Sequence, residues 1–206
     1  MPGYDQQVFL NVPFDSRYLK LLRALVFSVH ECGLTARCAL EKDDGGQVRV
    51  EKLFDIIREC RFGIHDLSRT SLDRRFRLPR FNMPLELGLF LGARTFGDSI
   101  QRNKACLILD RDRFRYQIFC SDIAGQDIRA HDNDVARALT AVRHWLQTHL
   151  PARPRLPGPA LLADRYLEFR RQLPFLCRSI GLAPRELSFL DYRSLVTGWL
   201  KENPWS

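Results

Sequence analysis

Apolar residues recur along this chain in two alternating rhythms. Short apolar runs that suit buried strands fall at residues 8–12 (VFLNV), 34–40, 61–67 (RFGIHDL) and 105–109 (ACLIL), with a weaker run at 127–130. Between them the spacing is helical: Leu19, Leu22, Leu25, Val26 and Val29, then Val50, Leu53, Phe54 and Ile57, then 84–93, 113–119 and 135–150. The punctuation agrees. Asp15 and Ser16 can cap the first helix and Gly33 can end it. Asp43-Asp44-Gly45-Gly46 is a turn, Pro84 suits a first helical turn, and Asp132 or Asn133 can cap the helix after the last strand.

Five strand-then-helix units predict a parallel sheet covered on both faces. The commonest version is the flavodoxin-like three-layer sandwich with strand order 2-1-3-4-5. Its ligand crevice lies at the carboxyl ends of strands 1 and 3. The loops after strands 1, 3 and 4 are therefore where chemistry is expected. Residues 1–150 make up this domain, a Pro-rich linker spans 151–160, and 161–206 read as a helical appendage that packs on the core or on a partner.

Composition narrows the classes. The 206 residues are 45% hydrophobic and 27% charged, which excludes a disordered chain. No apolar run reaches the ~18–20 residues of a membrane span, and the N-terminus lacks the pattern of a secretory signal. The six cysteines form neither a zinc module nor a disulfide framework, so a reducing cytoplasm is expected, with no metal and no cofactor. The net charge is +8, with 27 Arg among the 32 cations, and residues 151–206 carry nine cations against five anions. That excess invites a nucleic-acid reading, yet no helix-turn-helix, zinc-finger or RNP pattern accompanies it.

Glu86 stands out as the only charged residue between Arg80 and Arg94, flanked by Leu85, Leu87, Leu89 and Phe90. Burial there disfavours the carboxylate, and two explanations stay open. Glu86 is a nucleophile or general acid/base, or it caps its own helix from the third position after Met83. Asp66 ends the third strand, where it can accept hydrogen bonds from a ribose or serve as turn chemistry. Asn11, Pro13, Phe14 and Asp15 follow the first strand, and Asn82 and Met83 lead into the Glu86 helix. Asp15 and Asn82 each have a capping alternative. The dinucleotide fingerprint, the P-loop and the hydrolase elbow are all absent. His65, beside Asp66, points to the opposite face and is expected in the core.

Together, residues 62–68 (FGIHDLS) and 81–93 (FNMPLELGLFLGA) resemble the signature of the nucleoside 2-deoxyribosyltransferase-like and TIR-like superfamily. Residues 8–18 are similar to its first strand and loop. The chain also resembles a bacterial nucleotide-binding group, itself uncharacterised, that shares RCALE (37–41), RECRFGIHDLSRT (58–70), the 81–93 block and SDIAGQDIRAH (121–131). The resemblance implies chemistry at an N-glycosidic bond. Glu86 matches the glutamate that attacks the anomeric carbon, or that supports nicotinamide release from NAD. Asp66 and Asn82 match the positioning residues. The 20 positions from Asp66 to Glu86 exceed the family's usual spacing, and the loop adds Arg69, Arg74, Arg75, Arg77 and Arg80. These arginines, with Ser68, are expected to favour a phosphate-bearing ligand.

The leading expectation is thus an N-glycosidase, deoxyribosyltransferase-type or NAD-hydrolysing enzyme. A non-catalytic nucleotide sensor signalling through the C-terminal helices and an interaction-only scaffold are the alternatives. Expected partners are a nucleotide, nucleoside or NAD-like molecule and, through those helices, a protein. A homo-oligomer is compatible with the sequence, and no membrane contact is expected.

Overall fold

In the computed structural model, which describes residues 3–41, 45–70, 81–150 and 155–205, the strands are β1 (Gln7–Asn11), β2 (Thr35–Arg37), β3 (Phe62–Asp66), β4 (Ala105–Asp110) and β5 (Arg129–Ala130). They form one all-parallel sheet in the order β2-β1-β3-β4-β5, the flavodoxin-like arrangement. β1 and β3 pair at its centre, Leu10 beside Ile64 and Asn11 beside His65. Both strands are buried at every position, as strands covered on two faces must be.

The helices are α1 (Leu19–Glu31), α2 (Arg49–Glu59), α3 (Asn82–Phe96), α4 (Val135–His149), α5 (Pro159–Ser179) and α6 (Phe189–Glu202). Alternation along β3 sorts the layers. Phe62 and Ile64 join the core under α1 and α4. Gly63 and His65 face Phe90 of α3 on the other side, where Phe9 packs with Ile56 of α2. Gly63 has to be small, because a Cβ there would meet His65 Nε2 at 2.6 Å and the Phe90 ring at 2.7 Å.

The last two helices share the main core. Phe27, at the middle of α1, lies 5.4 Å from both Tyr166 and Phe169 and 5.9 Å from Trp199. A largely buried ion pair reinforces the seam, Arg165 Nε to Glu31 Oε1 at 2.9 Å. Burial raises the Glu31 carboxyl even so, with Arg165 pulling it back.

Local details depart from expectation. β2 keeps only three residues of the 34–40 run. The helix expected at 113–119 is a 3-10 turn, Arg115–Ile118, entered through Phe114 in a left-handed conformation (φ 61°). The cap of α4 is Asp134, whose side chain accepts from the Arg137 amide at 2.8 Å. Asp132 and Asn133, expected as caps, take φ values of 51° and 56° and form the turn before it. α6 begins at Phe189, behind a capping box between Ser188 and Asp191. Among the described residues, no helix is long and apolar enough to cross a membrane.

Candidate functional site

The carboxyl edge of the sheet holds a set of buried polar groups. Asp66 ends β3 and, by alternation, leaves the sheet on the α1/α4 side. Its Oδ2 accepts a hydrogen bond from the Tyr18 hydroxyl at the head of α1 and another, 2.9 Å long, from His131 Nε2 just after β5. Its Oδ1 accepts from the Ser68 amide at 2.8 Å, closing the turn that leads into the arginine loop. His131 Nδ1 accepts from the Asn133 amide at 3.0 Å, which leaves the proton on Nε2, facing Asp66. Burial alone would raise the Asp66 carboxyl, but the bonds from His131, Tyr18 and Ser68 outweigh it and hold the group below its ordinary range. Burial and the same carboxylate keep Tyr18 protonated.

Arg115 builds the adjoining wall. It reaches Asp110 at the end of β4 (Nη2 to Oδ1, 2.7 Å), the Leu67 carbonyl (2.6 Å) and Thr70 Oγ1 (3.0 Å). The guanidinium thereby fixes the first residues of the loop after β3. Burial pushes the Asp110 carboxyl up, against the pull of Arg115.

On the other face, Asn11 ends β1. Its Nδ2 donates to His65 Nδ1 at 3.0 Å and to the Met83 carbonyl in the first turn of α3 at 2.9 Å. Burial, with Lys104 nearby, lowers His65 to about 3, so its imidazole is neutral. This is the core histidine the strand pattern predicts.

Glu86 lies one turn beyond Met83, on the buried side of α3 with Met83, Leu87 and Phe90. α3 begins at Asn82 behind an N-cap at Phe81. Glu86 is therefore the fifth helical residue, beyond the amides that a capping carboxylate serves. The helix-cap explanation does not hold. The residue is 3% exposed, and among the described residues nothing hydrogen-bonds to its carboxylate. Burial pushes it up to about 7, with Arg49 at the start of α2 pulling it down. A carboxyl poised there can serve as either base or acid near neutrality.

The expected residues therefore fall into two groups. Asn11 and Met83 are hydrogen-bonded on the α2/α3 side, Glu86 follows one turn further along α3, and Asn82 is exposed at the first position of that helix. Asp66 and Ser68 lie toward α1 and α4, with no direct contact to Glu86 among the described residues. Pro13 is buried. Phe14 and Asp15 wall a cavity beside α1. The Asp15 carboxylate accepts from the Arg17 and Tyr18 amides at 3.0 and 3.1 Å and pairs with Arg69 at 3.8 Å, so it closes the turn before α1 and does not cap the helix as expected, the N-cap being Tyr18. Arg80, with Arg74, Arg75 and Arg77, lies outside the described residues.

Three buried polar atoms at this edge have no hydrogen-bond partner among the described residues: Asn11 Oδ1, Ser68 Oγ and Asp110 Oδ2. They end β1, follow β3 and end β4, the positions that the switch-point rule selects. Sequence reasoning missed Tyr18, His131, Asp110 and Arg115. For Asp110 a signal exists, since an acid closing the LILD run ends at the same edge. Tyr18 and His131 carry no comparable pattern. The fold and its edge together define an α/β protein with buried polar groups gathered at the strand termini. No protein-family model matches the chain, and no curated protein is similar to it.

Proposed function

We propose that this protein cleaves or transfers at the N-glycosidic bond of a nucleoside, nucleotide or NAD-like dinucleotide, with Glu86 as the attacking carboxylate. The observation that carries this reading is Glu86 itself: buried, without a hydrogen-bond partner among the described residues, and one helical turn from the Asn11-bound start of α3. A carboxylate suits an oxocarbenium-like centre. Its oxygen bonds to the anomeric carbon as the carbon–nitrogen bond breaks and the base leaves with the electron pair. Water or a second acceptor then displaces the carboxylate.

The superfamily resemblance supports the same chemistry and the same residue. Asn11 Oδ1 and the exposed Asn82 are available to sugar hydroxyls. Asp66 acts as a positioning residue, since its oxygens are engaged by Tyr18, His131 and Ser68, and it orients the unpartnered Ser68 hydroxyl. The six cysteines form no disulfide, which accords with a cytoplasmic setting.

A second reading, a nucleotide sensor, draws on a cavity of about 110 Å³ beside the crevice. Phe14 and Asp15 wall one side of it, and Leu187 and Ser188 of the α5–α6 connection, with Phe189 at the start of α6, wall the other. Ligand at the edge could in this way be felt by the C-terminal helices. Incubation with NAD and with deoxynucleotides, followed by chromatography for free base, separates the two. Base release supports the enzyme, and binding without turnover supports the sensor.

A further inference from the structure

A second groove runs along the outer side of α1, away from Glu86. Its volume is about 350 Å³, and α1 faces α5 across it. All of its charged lining residues are cations: Lys20 and Arg23 from α1 and Arg170 from α5. Lys20 and Arg23 stand three positions apart on one helix, where like charges repel.

The floor is rigid. Tyr166 is 2% exposed, and its hydroxyl donates to the Lys20 carbonyl at 3.3 Å. The Arg170 guanidinium lies 5.7 Å from the Tyr166 ring. Arg23 is held in place by a 2.5 Å bond to the Pro184 carbonyl and by stacking over Tyr192 at 5.2 Å. Among the described residues, neither the Lys20 ammonium nor the Arg170 guanidinium forms an ion pair or donates a hydrogen bond to protein. Three cations thus line a groove with an apolar floor of Leu19 and Leu173, and no carboxylate is among its described lining residues.

The geometry points to a binding site for a small phosphate-bearing ligand, its phosphates between Lys20, Arg23 and Arg170 and its apolar part over Leu173. A nucleic-acid strand fits less well. The next groove on α5 mixes Asp164 and Glu168 with Arg165 and Arg171, so no purely basic surface continues there. The volume falls within the range of about 300–1,000 Å³ typical of small-molecule pockets. The site is separate from the Glu86 crevice and does not depend on the reaction proposed there.

The test is calorimetric titration of the full chain with pyrophosphate, ADP and adenosine. Pyrophosphate and ADP should bind, and any heat from adenosine, which lacks phosphate, should be the same for the parent and for a Lys20→Ala/Arg170→Ala double variant. That variant, altered only at exposed positions, should bind pyrophosphate at least tenfold more weakly, while Glu86→Gln should bind it as the parent does. No pyrophosphate binding, or equal affinity in the double variant, would overturn the site. Loss of binding in Glu86→Gln alone would place the phosphates at the crevice, overturning this groove while leaving the catalytic reading intact. Binding of a single-stranded oligonucleotide but not of ADP would also overturn it.

Discussion

Asn11 Nδ2 donates a 2.9 Å hydrogen bond to the carbonyl of Met83, tying the end of β1 to the first turn of the helix that carries Glu86. The same nitrogen donates to His65 Nδ1. One amide thus aligns two central strands and a helix start around the carboxyl edge. Replacing it strands a buried imidazole nitrogen. Asn11→Ala should cost about 1–3 kcal/mol of stability, measured by urea unfolding. Unchanged stability would show that the bond does not organise this edge.

Asp66 offers an acid-side signature. Its carboxyl is held below the ordinary value of 3.8, so its bonds stabilise the fold fully above that value. That contribution fades as the pH falls through the lowered value. Asp66→Asn should be less stable than the parent at pH 7 and should lose less stability on acidification below pH 4. Parallel curves of melting temperature against pH for the two proteins would contradict the assignment.

Glu86 works in the opposite direction. Its carboxyl rises from 4.5 to about 7 in the fold, so the folded state binds a proton that the unfolded chain has released across that window. Stability from this group is therefore present below pH 4.5 and declines as the pH rises through 7. Glu86→Gln should match the parent near pH 4.5 and exceed it by roughly 3 kcal/mol at pH 8, at 1.36 kcal/mol per unit. Denaturation at the two pH values reads this difference. A destabilised Gln variant at pH 8 would mean that the carboxylate has a partner.

The α5–α6 pair and the sheet domain should unfold together, because Phe27 packs with Tyr166, Phe169 and Trp199 in one core. Tryptophan fluorescence and far-UV circular dichroism should give coincident transitions. Phe169→Ala should lower stability by about 3–5 kcal/mol. Two separated transitions would instead make residues 155–205 an independent unit.

The sheet order was legible because the buried runs and helical periods alternate without interruption from Val8 to Leu150. What was not legible depends on backbone choices that several neighbours could satisfy. Asp132, Asn133 and Asp134 are all competent caps, and only the turn that takes the first two through positive φ selects the third. Helical spacing over 113–119 did not reveal that Phe114 breaks the helix with a left-handed backbone. At the site, the isolation of Glu86 in apolar sequence marked it correctly as a buried carboxyl. Whether it capped α3 turned on the helix beginning at Asn82. Pairings such as Asp66 with Tyr18 and His131 join residues 48 and 65 positions apart, and no local pattern encodes them.

The central claim is that the Glu86 carboxylate attacks an anomeric carbon. The most direct measurement is the rate of base release from NAD and from deoxynucleotides by the parent and by Glu86→Gln, run side by side from pH 6 to pH 8. The account predicts that the parent releases base at a rate that climbs through pH 7 as Glu86 ionises. The Gln variant, folded and at least as stable, should be slower by roughly a hundredfold or more. Equal rates for the two proteins would contradict it.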